Sequence, residues 1–146
     1  MIADAPTTLR IERRFEAAPE RVFDAWLDPR IAGAWLFTTE ASEAHGVELD
    51  GRVGGRWTIT DRRGGQDYEA IGEYLVIDRP RRLVFSFGMP QFSPDLCRVT
   101  VEIEADGAGC RLRLTQDPVP PVDHDAAKRG WAEMFDSLAA RLNGSL

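Results

Sequence analysis

The sequence predicts an α+β fold in which helices gather on one face of an antiparallel sheet. Three observations carry this. Apolar and polar residues alternate, with the period of a strand, in run after run up to Gln116. Two short helical runs follow the first of those strands. An apolar stripe at helical spacing, about four turns long, comes last. The element order is therefore β, α, α, about six more strands, and a long α.

Each element has its own grounds. In TLRIERRF, Leu9 and Ile11 alternate with Arg10 and Glu12, as in a strand. In AAPERVFDAWLDP, Pro19 suits the first turn of a helix, Val22, Phe23 and Trp26 share a face, and Pro29 stops it. RIAGAWLF reads as a second short helix. From about Glu43 the text is strand and turn. AHGVEL leads into the glycine-rich DGRVGGRW. RWTIT alternates Trp57 and Ile59 with polar neighbours, and DRRGGQD is a turn. YEAIGEYLVID is a long strand in which Gly72 marks a bulge or bend. LVFSF sends Leu83, Phe85 and Phe87 to one face, and GMPQFSPD is a loop.

LCRVTVEIEADGAGCRLRLTQ is a hairpin, with Val99, Val101 and Ile103 answered by Leu112 and Leu114. A turn centred near Gly107 sets Cys110 opposite about position 104. Cys97 then lies roughly 23 Å along the strand, beyond disulfide reach, so both thiols read as free. In the last segment Asp123 or Asp125 can cap a helix. Ala127, Trp131, Met134, Leu138 and Leu142 form its apolar stripe, and the sheet's inward face is the partner that stripe needs.

The bulk properties narrow the function. The 146 residues read as one domain, 1–146, and 43% hydrophobic content fits a folded globule. A net charge of -6 argues against a nucleic-acid partner, which calls for a basic face. MIADAPTTL lacks the basic-then-apolar layout of a signal peptide, and no run approaches a membrane span. The expectation is a soluble cytoplasmic protein.

The motifs are few. A phosphate-binding loop sets its glycines between a strand and a helix, so that the helix N-terminus faces the anion. GRVGGRW is followed by a strand, so Gly51, Gly54 and Gly55 read as a turn that uses positive φ or a close backbone approach. Asp123-His124-Asp125 reads as helix start rather than metal cluster, and His45 has no partner at ligand spacing. Glu102 and Glu104 share a solvated strand face. Arg52, Arg56, Arg62 and Arg63 surround two turns as a mixed-charge surface. The aromatic content is more suggestive. Most of it is packing, yet a long helix over a curved sheet can leave a cavity with aromatic walls.

Four stretches resemble a known family: RIERRFEAAPERVFDAWLDPRIAGAWL, DGRVGGRW, GEYLVIDRPRRLVFSF and GWAEMFDSLAARL. Together they are similar to the Hsp90 ATPase activator-like domain of the START/Bet v 1-like superfamily, over about residues 8–143. The resemblance implies a helix-grip fold: a curved antiparallel sheet of about seven strands around the C-terminal helix, with a deep cavity between them. It also implies apolar ligands such as lipids or polyketides. The family often has a Trp-Trp pair after the second helix, where this chain has Trp35-Leu36-Phe37. The family's name comes from a eukaryotic co-chaperone with an additional domain, for which 146 residues leave no room.

The reading is a binding module for a small apolar or aromatic ligand, without catalytic residues, metal or cofactor, and monomeric or homodimeric. Trp35, Phe37, Trp57, Ile59, Tyr74, Phe85, Phe87 and Val101 are its candidate wall on the sheet side. Trp131, Met134, Phe135 and Leu138 are the wall on the helix side. A co-chaperone-like module with a protein partner is the second reading. A polyketide cyclase-type enzyme using the same cavity is the third.

Overall fold

A computed structural model describes residues 7–38, 42 and 44–143. Residues 1–6, at the start of the stretch read as lacking a signal-peptide layout, and the expected start of the strand region at Glu43 lie outside the described residues. The elements are β1 (Leu9–Phe15), α1 (Pro19–Leu27), α2 (Pro29–Trp35), β2 (Ala44–Leu49), β3 (Arg56–Arg63), β4 (Gln66–Asp78), β5 (Arg82–Phe87), β6 (Cys97–Asp106), β7 (Gly109–Asp117) and α3 (His124–Asn143). The strands form one seven-stranded sheet in the order β1-β7-β6-β5-β4-β3-β2, and every neighbouring pair is antiparallel.

Local chemistry explains the helices. Pro19 occupies the first turn of α1, where its missing N–H costs nothing. Val22, Phe23, Ala25 and Trp26 are buried. α2 follows at once because Asp28 caps it, its carboxylate accepting the Arg30 N–H at 3.0 Å. The chain enters α3 through a 3-10 turn at Pro121–Asp123. Asp125 lies inside the first helical turn rather than at the cap, where its charge complements the helix dipole. The His124 Nε2 is 2.8 Å from the Val119 carbonyl oxygen. Of the expected apolar stripe of α3, Trp131, Leu138 and Leu142 are buried and Ala127 and Met134 half-buried, while Phe135 is fully buried beside them.

The sheet's two faces separate as the alternation requires. On β6 and β7 the buried parity is Val99, Val101, Ile103 and Cys110, Leu112, Leu114, Gln116. The opposite parity is charged. Glu102 and Glu104 are exposed and stand across from Arg113 and Arg111. Arg113 and Arg111 both bond Glu12 of β1 at 3.0 Å, Arg113 first in effect, and hold its carboxyl below the usual range.

Two expectations are corrected in detail. Cys110 stands opposite Ala105, one residue from the expected register, because the hairpin turn is tighter by one position. Both cysteines are free. The bulge in β4 falls between Tyr74 and Val76 rather than at Gly72. Gly72 is required for another reason: a Cβ there would sit 1.7 Å from the Ser86 carbonyl oxygen and 2.4 Å from the Trp57 indole nitrogen.

The glycine-rich turn is part of the sheet. Within it Gly54 alone takes positive φ, +84°. The Gly54 N–H donates to the Tyr74 carbonyl at 2.8 Å, and the Tyr74 N–H donates to the Gly55 carbonyl at 2.9 Å. A Cβ on Gly55 would meet the Asp50 carbonyl oxygen at 2.0 Å. The amide that a phosphate loop would offer to an anion is thus spent on β4.

Candidate functional site

The concave face of the sheet, α1, α2 and α3 enclose a cluster of aromatic rings. Trp26 and Trp35 meet edge to face, centroids 4.7 Å apart, and the Trp35 indole N–H donates to the Ala25 carbonyl at 3.0 Å. Phe135 reaches Phe15, Trp26, Trp35 and Trp131 within 6.3 Å. Phe85 links Trp26 to Trp57. This packing closes the space between those rings. The residual void bounded by Trp26, Leu36, Leu49, Trp57, Tyr74, Leu83 and Phe85 has about 10 Å³. That is room for about one water molecule. Among the described residues this void is far smaller than the deep cavity that the family resemblance implied, because here the aromatic side chains meet one another instead of lining a space.

A second ring cluster lies at one end of the same face. Phe37 follows α2 and is half-buried. Its ring is nearly parallel to Phe87 (4.6 Å, 11°) and Trp57 (5.4 Å, 5°), and tilted against Trp131 (5.6 Å, 63°). Its backbone N–H donates to the Met134 sulfur at 3.0 Å.

Polar groups meet the aromatic ones at this end. The Trp131 indole N–H donates to Gln116 Oε1 at 2.8 Å, and Gln116 Nε2 donates to Cys97 Sγ at 3.2 Å. Cys97 stands opposite Phe87 in the β5–β6 ladder. Burial pushes the Cys97 thiol up, so it stays neutral near pH 7, the Gln116 hydrogen bond only partly opposing this. Burial, with a smaller effect of Asp50, also raises the Tyr74 hydroxyl and keeps it protonated. On β3 the buried parity runs Trp57, Ile59, Asp61; Asp61 is 2% exposed, with Arg63 Nε 2.8 Å from its carboxylate. Among the described residues, no three His, Cys, Asp or Glu side chains stand close enough to share a metal ion.

The structure therefore joins Phe37, Trp57, Phe85, Phe87, Trp131 and Phe135 through ring contacts and sets Met134 beside Phe37. Trp35 packs behind them, and Tyr74 borders the void with Trp57 and Phe85. Ile59, Val101 and Leu138 are buried core residues that do not line the small void. Two residues escaped sequence reasoning. Trp26 was visible on the apolar face of α1 but was not connected with the sheet. Gln116 continues the buried parity of Leu112 and Leu114, and strand period alone would have pointed it inward.

The fold and its aromatic interior define a helix-grip domain of the START/Bet v 1-like class. Residues 16–143 match the family described as activator of Hsp90 ATPase homolog 1-like protein, and the chain belongs to that family. Similar solved structures agree. A protein of Chromobacterium violaceum is 26% identical with a TM-score of 0.81, over 94% of this chain and 98% of that one. The AHSA1-like protein of Aeromonas hydrophila is 24% identical with a TM-score of 0.80, over 94% and 93%. A Staphylococcus aureus protein of unknown function is 21% identical with a TM-score of 0.80, over 94% of each chain. No curated protein matches the chain. No helix among the described residues is long and apolar enough to cross a membrane.

Proposed function

We propose that this domain binds a small apolar or aromatic molecule between α3 and the sheet, at the end marked by Phe37, Phe87 and Trp131. One observation carries the reading. The Trp131–Gln116–Cys97 hydrogen-bond chain sets a buried amide among aromatic walls, which is the composition of a ligand site: apolar surface with a few placed polar groups. Where these rings meet, ligand enters by displacing side chains. Binding without catalysis is the expectation, and burial holds the Cys97 thiol at this end neutral. The test is a panel of fatty acids, flavonoids and polyketide-like aromatics, read by quenching of tryptophan fluorescence. Binders should appear in the micromolar range, and Met134→Trp, which crowds the end beside Phe37, should remove them while circular dichroism stays unchanged. A panel without binders contradicts the reading.

An exposed loop favours a second reading, a protein-contact module of the kind the family's name suggests. Phe92 is 67% and Leu96 53% exposed on the loop after β5, and Phe92 stacks on Tyr68. On that reading, a complex with an Hsp90-type chaperone forms in sedimentation experiments and is lost in Phe92→Ser.

A further inference from the structure

Phe37 is the only non-glycine residue with positive φ among the described residues, at +55°. An aromatic side chain rarely adopts that conformation, because its Cβ crowds the backbone. Such a residue persists where its surroundings hold it, and it is a pointer to function. What holds Phe37 is its ring, lying nearly parallel to Phe87 and Trp57 and tilted against Trp131. Its backbone N–H goes to a thioether, a weak acceptor.

We infer that the Phe37 ring occupies the place of the ligand, and that the ligand is a planar, uncharged aromatic molecule carrying one hydroxyl or carbonyl group. This inference rests on the ligand-binding reading above. The parts of the description follow from the neighbours. Faces already stacked on a phenyl ring accept another flat ring at the same spacing. Among the described residues, none of the rings against Phe37 carries a charge, and the Cys97 thiol is neutral with Asp117, itself an anion, as the one charge acting on it, so an anionic ligand would be desolvated without a counter-charge. The Gln116 amide offers two donors and two acceptor positions, and its bonds to Trp131 and Cys97 use one of each. A hydroxyl or carbonyl can take up the remainder without breaking that chain. Release of Phe37 from positive φ favours the exchange.

Equilibrium dialysis of 2-naphthol and of naphthalene against wild type, Phe37→Gly and Phe37→Gly/Gln116→Leu tests this. Glycine accepts the +55° backbone and removes the ring, so the variant is pre-opened. It should bind 2-naphthol at least about tenfold more tightly than wild type, since a site filled by its own ring lowers apparent affinity by the open fraction. The ratio of 2-naphthol to naphthalene affinity should fall several-fold on adding Gln116→Leu. Phe37→Asn, which also tolerates positive φ, repeats the test should the glycine variant not fold. Wild-type binding with no gain in either Phe37 variant overturns this inference and leaves the binding reading standing. An unchanged affinity ratio overturns the role of Gln116. No binding by any of the proteins overturns both the inference and the reading.

Discussion

Gly72 shows how one residue can be fixed by what faces it. Its φ is not in the left-handed region, yet the Ser86 carbonyl and the Trp57 indole leave no room for a methyl group. Gly72→Ala should therefore destabilise the domain by about 1–3 kcal/mol in urea unfolding, the cost of overpacking. A neutral result would mean that the Ser86 backbone and the Trp57 ring both give way, contrary to the packing described. Cys97 makes a second prediction at this scale. Its thiol is raised by burial, so the reactive thiolate is scarce near pH 7. Native alkylation by iodoacetamide should be slow there and accelerate as pH rises through the raised value. In denaturant both thiols should react, giving two per chain. Fast native labelling of Cys97 near neutral pH would contradict the burial described for it.

At the scale of elements, α3 is docked by rings rather than by charge. Phe135 is fully buried and touches four aromatic side chains drawn from β1, α1, α2 and α3 itself. Phe135→Ala should cost about 3–5 kcal/mol, as large-to-alanine changes in packed cores do. A loss below about 1 kcal/mol in urea unfolding would show that α3 is held elsewhere. The surface pairs contribute less. Arg13 bonds Asp136 of α3 at 2.8 Å, but the Asp136 side chain is 70% exposed and solvent screens the pair. The glycine-rich turn between β2 and β3 belongs to this scale too. Its hydrogen bonds to Tyr74 make it a structural clasp on β4.

For the whole molecule, periodicity disclosed the element order, and the structure has those elements in that order. Strand period gave the inward apolar residues of β6 and β7, and helical spacing gave Trp131, Leu138 and Leu142 on the buried face of α3 but left Phe135 off the stripe. The state of the interior could not be read the same way. Whether Trp26, Trp35, Phe85 and Phe135 line a space or fill it depends on ring orientations in three dimensions, which no spacing rule encodes. The positive φ of Phe37 was equally hidden, because nothing in Trp35-Leu36-Phe37 demands it locally; long-range stacking on Phe87 and Trp57 holds it. The Gln116 amide was within reach of parity reasoning, and its partner Trp131 was already assigned to the interior.

The central claim is that ligand enters at the Phe37 end of the aromatic cluster. A 1H–15N correlation spectrum of the wild-type protein, titrated with 2-naphthol, addresses it directly. The claim predicts saturable shifts at the backbone amides of Phe37, Phe87, Cys97 and Gln116 and at the Trp131 indole N–H, with the Phe37 amide moving most as it leaves the Met134 sulfur. Shifts confined to the loop carrying Phe92 and Leu96, or none at all, would contradict it.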